Sequence, residues 1–383
     1  MSTIDRAIDS YSRRFGSAAK AAALAPGRVE IMGNHTDYNG GYVLPAALDK
    51  VTAVAGEAVS GNEITLYAID LDRIATFDIN ALTPSKDESW ANYVLGVVQQ
   101  LRNRGVDVGG FRAIIHSDVP TGAGLSSSAA LEVSTALFLR SLFPYDIEQM
   151  GIARLCQQAE NEFVGVPCGI MDQFASVFGQ DGSLLFLDCL TMEHDVMKMG
   201  LQDLAVVVCD SRVEHKLTGG DYATRRGECE AAAAYFGKTI LRDVTWEEFV
   251  DGEAQLPENQ RKRARHVLTE NARVLALRDA IQGTDKTAIG RLFLEGHASS
   301  RDLFENSTPE IDFLADAAMT LPGCIGAKMF GGGWGGCTVN LVEADAVDQF
   351  SEELRARYLA HIGIEARTYP FKAAQGARTV EIG

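Results

Sequence analysis

At 383 residues and 41.3 kDa the chain is long enough for two domains that each bury a core, and it is no disulfide-stapled mini-protein. Hydrophobic residues make up 46% and charged residues 23%, which sets aside bulk disorder and fibrous architectures. A net charge of −17 repels phosphate backbones and anionic lipid surfaces, so a nucleic-acid or membrane partner would need a strong local basic patch; a small nucleotide held by a few aimed amides and cations is compatible with it.

In chain order, the first sixteen residues are charged and do not read as a signal peptide. Strand composition marks 29–32, 51–55, 64–68 and 111–116, with helical periodicity at 93–102, 127–142 and 152–163. Strands are expected again at 183–187 and 204–209. The chain then turns mainly helical, at 221–236, 260–281, 287–301 and 310–319, with the polar stretch 251–263 read as a loop. Strands at 325–329 and 337–342, a helix at 346–358 and a final strand close the sequence. A boundary near residue 200 divides it into two α+β domains, 1–200 and 201–383. The seven cysteines are dispersed and contain no CxxC pair, which argues against zinc ribbons and for free thiols in a reducing compartment. No apolar stretch approaches the ~18 residues of a membrane span, and a cytoplasmic protein is expected.

Three glycine-rich places compete as phosphate sites. Phe236-Gly-Lys-Thr239 has the tail of a Walker loop, but its leading glycine would fall at Ala232. Gly331 to Gly336 satisfies GxGxxG yet runs into the strand pattern from Cys337, whereas a dinucleotide fingerprint must open a helix. Pro120-Thr-Gly-Ala-Gly-Leu-Ser-Ser-Ser-Ala-Ala130 does open a helix. Its glycines admit a close ligand, its serines supply hydroxyls, and the helix start aims free amides at an anion. An ordinary capped helix after a glycine turn would read the same way.

Between Pro26 and Gly41 the chain packs Arg28, Glu30, Asn34, His35, Asp37 and Asn39 around glycines, a set of donors and acceptors suited to a polyol or to a solvated hairpin. On the helix 152–163, Glu160 lies at the edge of an apolar face, where a carboxylate needs a partner such as a metal ion. Asp172 in Cys168-Gly-Ile-Met-Asp-Gln173 sits among apolar neighbours, where a carboxylate is either paired or catalytic.

These segments, in this order, resemble the GHMP kinase superfamily, and within it galactokinases: Gly33 to Gly41 is similar to the sugar signature and Gly124 to Ala130 to the phosphate loop. Pro167 to Gln173, His215 with Tyr222, Arg225, Arg226 and Cys229, and Gly335 to Val339 also match. The resemblance implies an amino-terminal domain like ribosomal protein S5 domain 2, a ferredoxin-like carboxy-terminal domain, and ATP-dependent phosphorylation of the anomeric hydroxyl of galactose. Asp172 would accept the hydroxyl proton, with Arg28 beside it to steady charge on the phosphoryl group. Asn34 occupies the position of the residue that meets the sugar's 6-hydroxyl, and His35, Asp37, Gly169 and Tyr222 would bind other hydroxyls. Gly122, Gly124, Ser126, Ser127 and Ser128 would cradle the phosphates of ATP, and Trp90 and Asn92 would serve its nucleoside. Ser127, Ser128 and Glu160 would hold Mg2+.

One departure bears on the substrate. Galactokinases usually carry Glu at the position of Asn34 and Asn at that of Glu30, so the two types are exchanged. Either the exchange compensates locally, or Asn34 admits a 6-carboxylate and favours a hexuronate such as galacturonate. A non-catalytic sugar sensor is a third reading, but such relatives lose residues from the serine loop, and Ser126 to Ala130 is complete here. The basic run Arg261, Lys262, Arg263 and Arg265 is expected to be a solvated face, and His266 and His297 to be structural.

Overall fold

In a computed structural model that describes residues 1–120, 122–198, 203–214 and 221–382, α1 (Thr3–Phe15) is opened by a capping box between Ser2 and Asp5. Its narrow stripe of Ile4, Ala7 and Tyr11 packs on Ala22, Leu24, Ala53 and Ile114 of the strands that follow. Those strands are β1 (Ala21–Met32), β2 (Tyr42–Ala58), β3 (Glu63–Ala68) and β4 (Arg73–Asp78), joined by β5 (Phe111–Ser117) after α2 (Asn92–Asn103). Ala21 to Ala25 has helix-forming composition but lies in β1, fully buried and paired along both edges. Tertiary pairing overrides propensity there, and the small side chains let helices approach both faces.

Next come α3 (Ser127–Leu142), α4 (Gln149–Gln158), α5 (Met171–Phe178), β6 (Ser183–Asp188) and β7 (His194–Lys198). Helices α2 to α5 cover the face opposite α1, and α3 is buried on nearly every side. A π-helical turn, Ala159–Val164, replaces the last turn of the helix expected over 152–163.

The second half runs β8 (Leu204–Glu214), α6 (Asp221–Tyr235), α7 (Trp246–Gly252), α8 (Glu258–Gln282), α9 (Lys286–Ser299), α10 (Pro309–Met319), β9 (Cys324–Phe330), β10 (Gly335–Glu343), α11 (Val347–Ile362), β11 (Arg367–Phe371) and β12 (Arg378–Val380). Its antiparallel sheet has the order β11-β8-β10-β9, the ferredoxin-like arrangement, with α10 and α11 on one face. The expected loop over 251–263 is largely helical: α7 ends at Gly252, a 3₁₀ turn follows, and α8 begins at Glu258. The basic run within it is not a solvated face throughout, because Arg263 is 2% exposed and bonds Glu228, Glu305 and the carbonyl of Leu303.

Two features tie the halves together. The first sheet, ordered β12-β1-β2-β5-β3-β4 with β6 attached to β2 and β7 to β6, takes its outer strand, β12, from the end of the second half. A shared core joins Val29, Ile31 and Leu44 to Val274, Phe293, Phe330 and Val339. The expected boundary near 200 falls among residues outside those described.

Candidate active site

The strand β1 carries the first functional side chains. Pairing with β2 is irregular between Pro26 and Arg28 and between Glu30 and Met32 but regular from Arg28 to Glu30, so these two residues share one face. Arg28 is 6% exposed and forks onto Asp172 at the start of α5: Nε donates to Oδ1 and Nη2 to Oδ2, each at 2.7 Å. Its Nη1 donates to the carbonyl of Gly124 at 2.6 Å, so one guanidinium links the carboxylate to the glycine-serine loop. The Ser126 hydroxyl also donates to Asp172 Oδ2. Ser126 is therefore a partner of the carboxylate in this state, in addition to its place at the start of α3.

That loop has the character of an anion cradle. Gly122, Gly124 and Ser126 all adopt positive φ, and the Ser126 side chain does not cap α3, leaving the first-turn amides without an intrahelical partner. Ser127 and Ser128 open the helix. Glu160, on the π-helical turn, is 6% exposed and accepts from Gln173 Nε2 at 2.7 Å. Burial and the Asp172 charge push its carboxyl up to about 7, against hydrogen bonds from Cys168, Ser128 and Gln173. Hard oxygens from Glu160 and Ser128 in one buried place are the donor set Mg2+ prefers. Gln173 Nε2 also bonds Glu132, a fully buried carboxyl raised well above its ordinary range by burial and by Glu160.

Beside Asp172 lies a cavity of about 180 Å³ lined by Arg28, Glu30, Asn34, His35, Asp37, Glu160, Cys168, Gly169, Asp172 and Tyr222, with backbone from Gly331 and Gly332. Nearly all the sugar-site residues expected from sequence thus converge. His35 has φ 59° and donates from Nε2 to the carbonyl of Gly332 at 3.1 Å, while Nδ1 accepts from the Tyr38 hydroxyl at 2.8 Å. Burial pushes it down to about 3, so it is neutral, and its ring lies between Phe304 and Tyr222. Asp37 accepts from its neighbour's amide, and burial followed by the Asp172 charge pushes it up to about 6. Gly169 makes room for Asp37: a Cβ there would stand 1.9 Å from Asp37 Oδ2 and push that carboxylate from its place.

Asn34 is buried and already committed. Its Nδ2 donates to Glu30 Oε2 at 3.0 Å and to the carbonyl of Gly331 at 2.7 Å, and its Oδ1 accepts from Asn306 Nδ2 at 3.0 Å. Glu30 in turn accepts from Lys328 Nζ at 2.9 Å. The backbone amides of Gly33 and Asn34 donate to Glu270, which burial alone would raise but which the charge of Arg273, then of His266 and Lys328, holds down to about 2. His266 bonds the carbonyl of Asn34 and the Ser299 hydroxyl, and His297 meets Asp312 and the amide of Met329, so both histidines are structural.

The two residues expected on the nucleoside side lie outside the sugar cavity. Asn92 accepts from the Ser85 amide and donates to its carbonyl, and Trp90 donates to Glu88 while packing on the first core, so neither lines the cavity. His215 lies outside the described residues. Sequence reasoning missed Lys328, Glu270 and Asn306, which reach the signature from the other half of the chain. It also set aside Gly331 and Gly332, whose carbonyls hold Asn34 and His35; the glycine run itself was the available signal.

Comparisons with known proteins agree with this geometry. The family described as "Galactokinase galactose-binding signature" matches residues 9–58, "GHMP kinases N terminal domain" matches 92–180 and "GHMP kinases C terminal" matches 277–360. The chain is 41% identical to a galactokinase of Haemophilus influenzae over 99% of this chain and 100% of the relative. Against the galactokinase of Homo sapiens it is 39% identical over 97% and 95%. Among solved structures, Lactococcus lactis galactokinase complexed with galactose superposes with a TM-score of 0.93 at 31% identity, covering 97% of this chain and 98% of that one. Mevalonate kinase of Methanococcus jannaschii, at 18% identity and a TM-score of 0.66 over 92% of this chain and 98% of that one, shares the fold.

Proposed function

The chain belongs to the galactokinases of the GHMP kinase superfamily, and from that premise we infer that it transfers the γ-phosphoryl group of ATP to the anomeric hydroxyl of galactose, giving α-D-galactose 1-phosphate. The observation that carries this reading is the position of Asp172, between a sugar-sized cavity and a helix-opening anion cradle, joined to both by Arg28.

The anomeric hydroxyl takes the place of the Ser126 hydroxyl on Asp172 Oδ2, and its proton passes to that carboxylate as the oxygen bonds to the γ-phosphorus and the bond from that phosphorus to the bridging oxygen of ATP breaks, releasing ADP. Arg28 stays between carboxylate and loop, where its charge meets the transferring group. The first-turn amides of α3 and its dipole hold the phosphates. In a loose transition state these positioning terms outweigh base catalysis. Glu160 and Ser128, with Ser127 beside them, would hold Mg2+, which neutralises charge on the phosphate oxygens. Asp37 and Tyr222 would bind ring hydroxyls, with Gly169 making room for Asp37, and neutral His35 would do so by exchanging its Tyr38 or Gly332 hydrogen bond for one to the sugar. Trp90 and Asn92, outside the sugar cavity, would serve the nucleoside of ATP.

A hexuronate is disfavoured by the same wall that Asn34 was expected to open. Glu30 lines the cavity next to Asn34, so a 6-carboxylate would meet a like charge that Lys328, 2.9 Å behind it, offsets only in part. The absence among the described residues of any helix long and apolar enough to cross a membrane, and seven free cysteines, support the cytoplasmic assignment. Assay of purified protein with ATP and Mg2+ against galactose, talose, glucose and galacturonate tests the reading. Galactose should be preferred by an order of magnitude or more, and sugar-dependent thermal stabilisation without turnover would mark a sensor instead.

A further inference from the structure

Asn34 has little left to offer a ligand: both its N–H groups and one lone pair of its oxygen are engaged by Glu30, Gly331 and Asn306. Glu30 is different. Its carboxylate accepts from Lys328 Nζ at 2.9 Å, Asn34 Nδ2 at 3.0 Å and the Gly331 amide at 3.3 Å, which fills three of the about four acceptor positions of a carboxylate. One remains, on a residue that lines the sugar cavity. Arg28 and Glu30 share a face of β1 and stand roughly 7 Å apart along it, a spacing comparable to the width of a pyranose ring. With the anomeric hydroxyl at Asp172, beside Arg28, the open position on Glu30 lies about that far away along the cavity wall, within reach of the primary hydroxyl that extends from C5.

The partner of Glu30 strengthens the case. Lys328 is 0% exposed, comes from β9 of the other half of the chain, and does not line the cavity. A buried ion pair contributes little net stability compared with apolar residues of the same volume, so stability alone is a poor reason for one here. Fixing a carboxylate at a ligand wall is a better one.

We propose that Glu30, and not Asn34, accepts the hydrogen bond of the sugar's primary hydroxyl, and that Lys328 is the positioning residue that holds the Glu30 carboxylate toward the cavity. This rests on the galactose reading above. Discrimination at carbon six is then built from both halves of the molecule, and the exchange of residue types at positions 30 and 34 moves the acceptor by one hydrogen bond without removing it.

The test is kcat/KM for D-galactose and for 6-deoxy-D-galactose, measured on the full chain. Wild type should prefer galactose by about 10- to 100-fold. Because Glu30→Gln alone strands a buried lysine, it is paired with Lys328→Met, and the thermal midpoint checks folding. In that double variant the preference should shrink to about threefold or less, mainly through loss of galactose turnover. Lys328→Met alone should raise the galactose KM with little change in kcat, and Lys328→Arg should restore it. If the double variant is folded and loses both sugars equally, with the ratio intact, the pair is structural and the proposal falls. A ratio that collapses in Asn34→Ala but survives in the Glu30 variant would return the role to Asn34. If wild type phosphorylates a different hexose well and galactose poorly, the sugar assignment fails first and takes this inference with it.

Discussion

Asp172 accepts from a single cation, through the two Arg28 contacts at 2.7 Å, and from the Ser126 hydroxyl. Asp172→Ala should lower kcat by about 10²- to 10⁴-fold while leaving ATP affinity within a few-fold, read by steady-state kinetics and calorimetric titration with a non-hydrolysable ATP analogue. Asp37 sets a pH dependence. Pushed up to about 6 by burial and by Asp172, it accepts sugar hydroxyls as an anion only above that value. The protonated form dominates below it, so the galactose KM should rise as pH falls through about 6, approaching tenfold per unit, and Asp37→Asn should abolish that slope. At this scale the sequence was most informative, because Arg28, His35, Asp37 and Asp172 lie in glycine-punctuated segments whose polar density has few uses other than binding. Lys328, Glu270 and Asn306 were invisible: each lies in an ordinary context, and only the fold brings it within 3.2 Å of the signature.

Among the elements, the π-helical turn after α4 bears directly on the chemistry. Its wider winding places Glu160 against Gln173 and Cys168, near Ser128. Such turns recur at functional sites, and a regular 3.6-residue periodicity cannot reveal one, which is why a single helix over 152–163 was expected. Glu160→Gln keeps the hydrogen-bonding shape but removes the charge. It should raise the Mg2+ concentration for half-maximal rate by about tenfold or more with the galactose KM nearly unchanged, measured by metal titration. α3, apolar on nearly every side and opened by the glycine-serine loop, was legible to the residue. α1 and α5 were not: α1 buries only Ile4, Ala7 and Tyr11 among charged neighbours, and α5 is eight residues long, too short for a period to register. The loop misread over 251–263 has the same origin, since Arg263 looks solvated until Glu228 and Glu305 are placed around it.

For the molecule as a whole, the net charge of −17 and the binding of a highly charged nucleotide are reconciled locally, by the bare amides of α3 and by Arg28. The two halves meet through the shared core, the Glu30–Lys328 pair and β12, so unfolding should be a single cooperative transition by circular dichroism and calorimetry alike. Removing residues 378–383 should lower the thermal midpoint by several degrees, because it strips backbone partners from Ala22, Ala23 and Leu24. The pairing of β12 was beyond sequence reading, because three residues, Arg378 to Val380, carry no periodicity, and their place is fixed by backbone pairing with β1 and by Val380 packing on the α1 cluster. It has a consequence for biosynthesis. The ribosome completes the first sheet except its outer strand once β7 ends at Lys198, and it makes the missing strand only after the whole second half, from Arg378. Throughout that interval the nascent chain carries an open β edge, a template for pairing with neighbouring chains. Aggregation during expression should therefore be worst for truncated or stalled chains, and a bulky fusion at the carboxy terminus should cost more yield than the same fusion at the amino terminus.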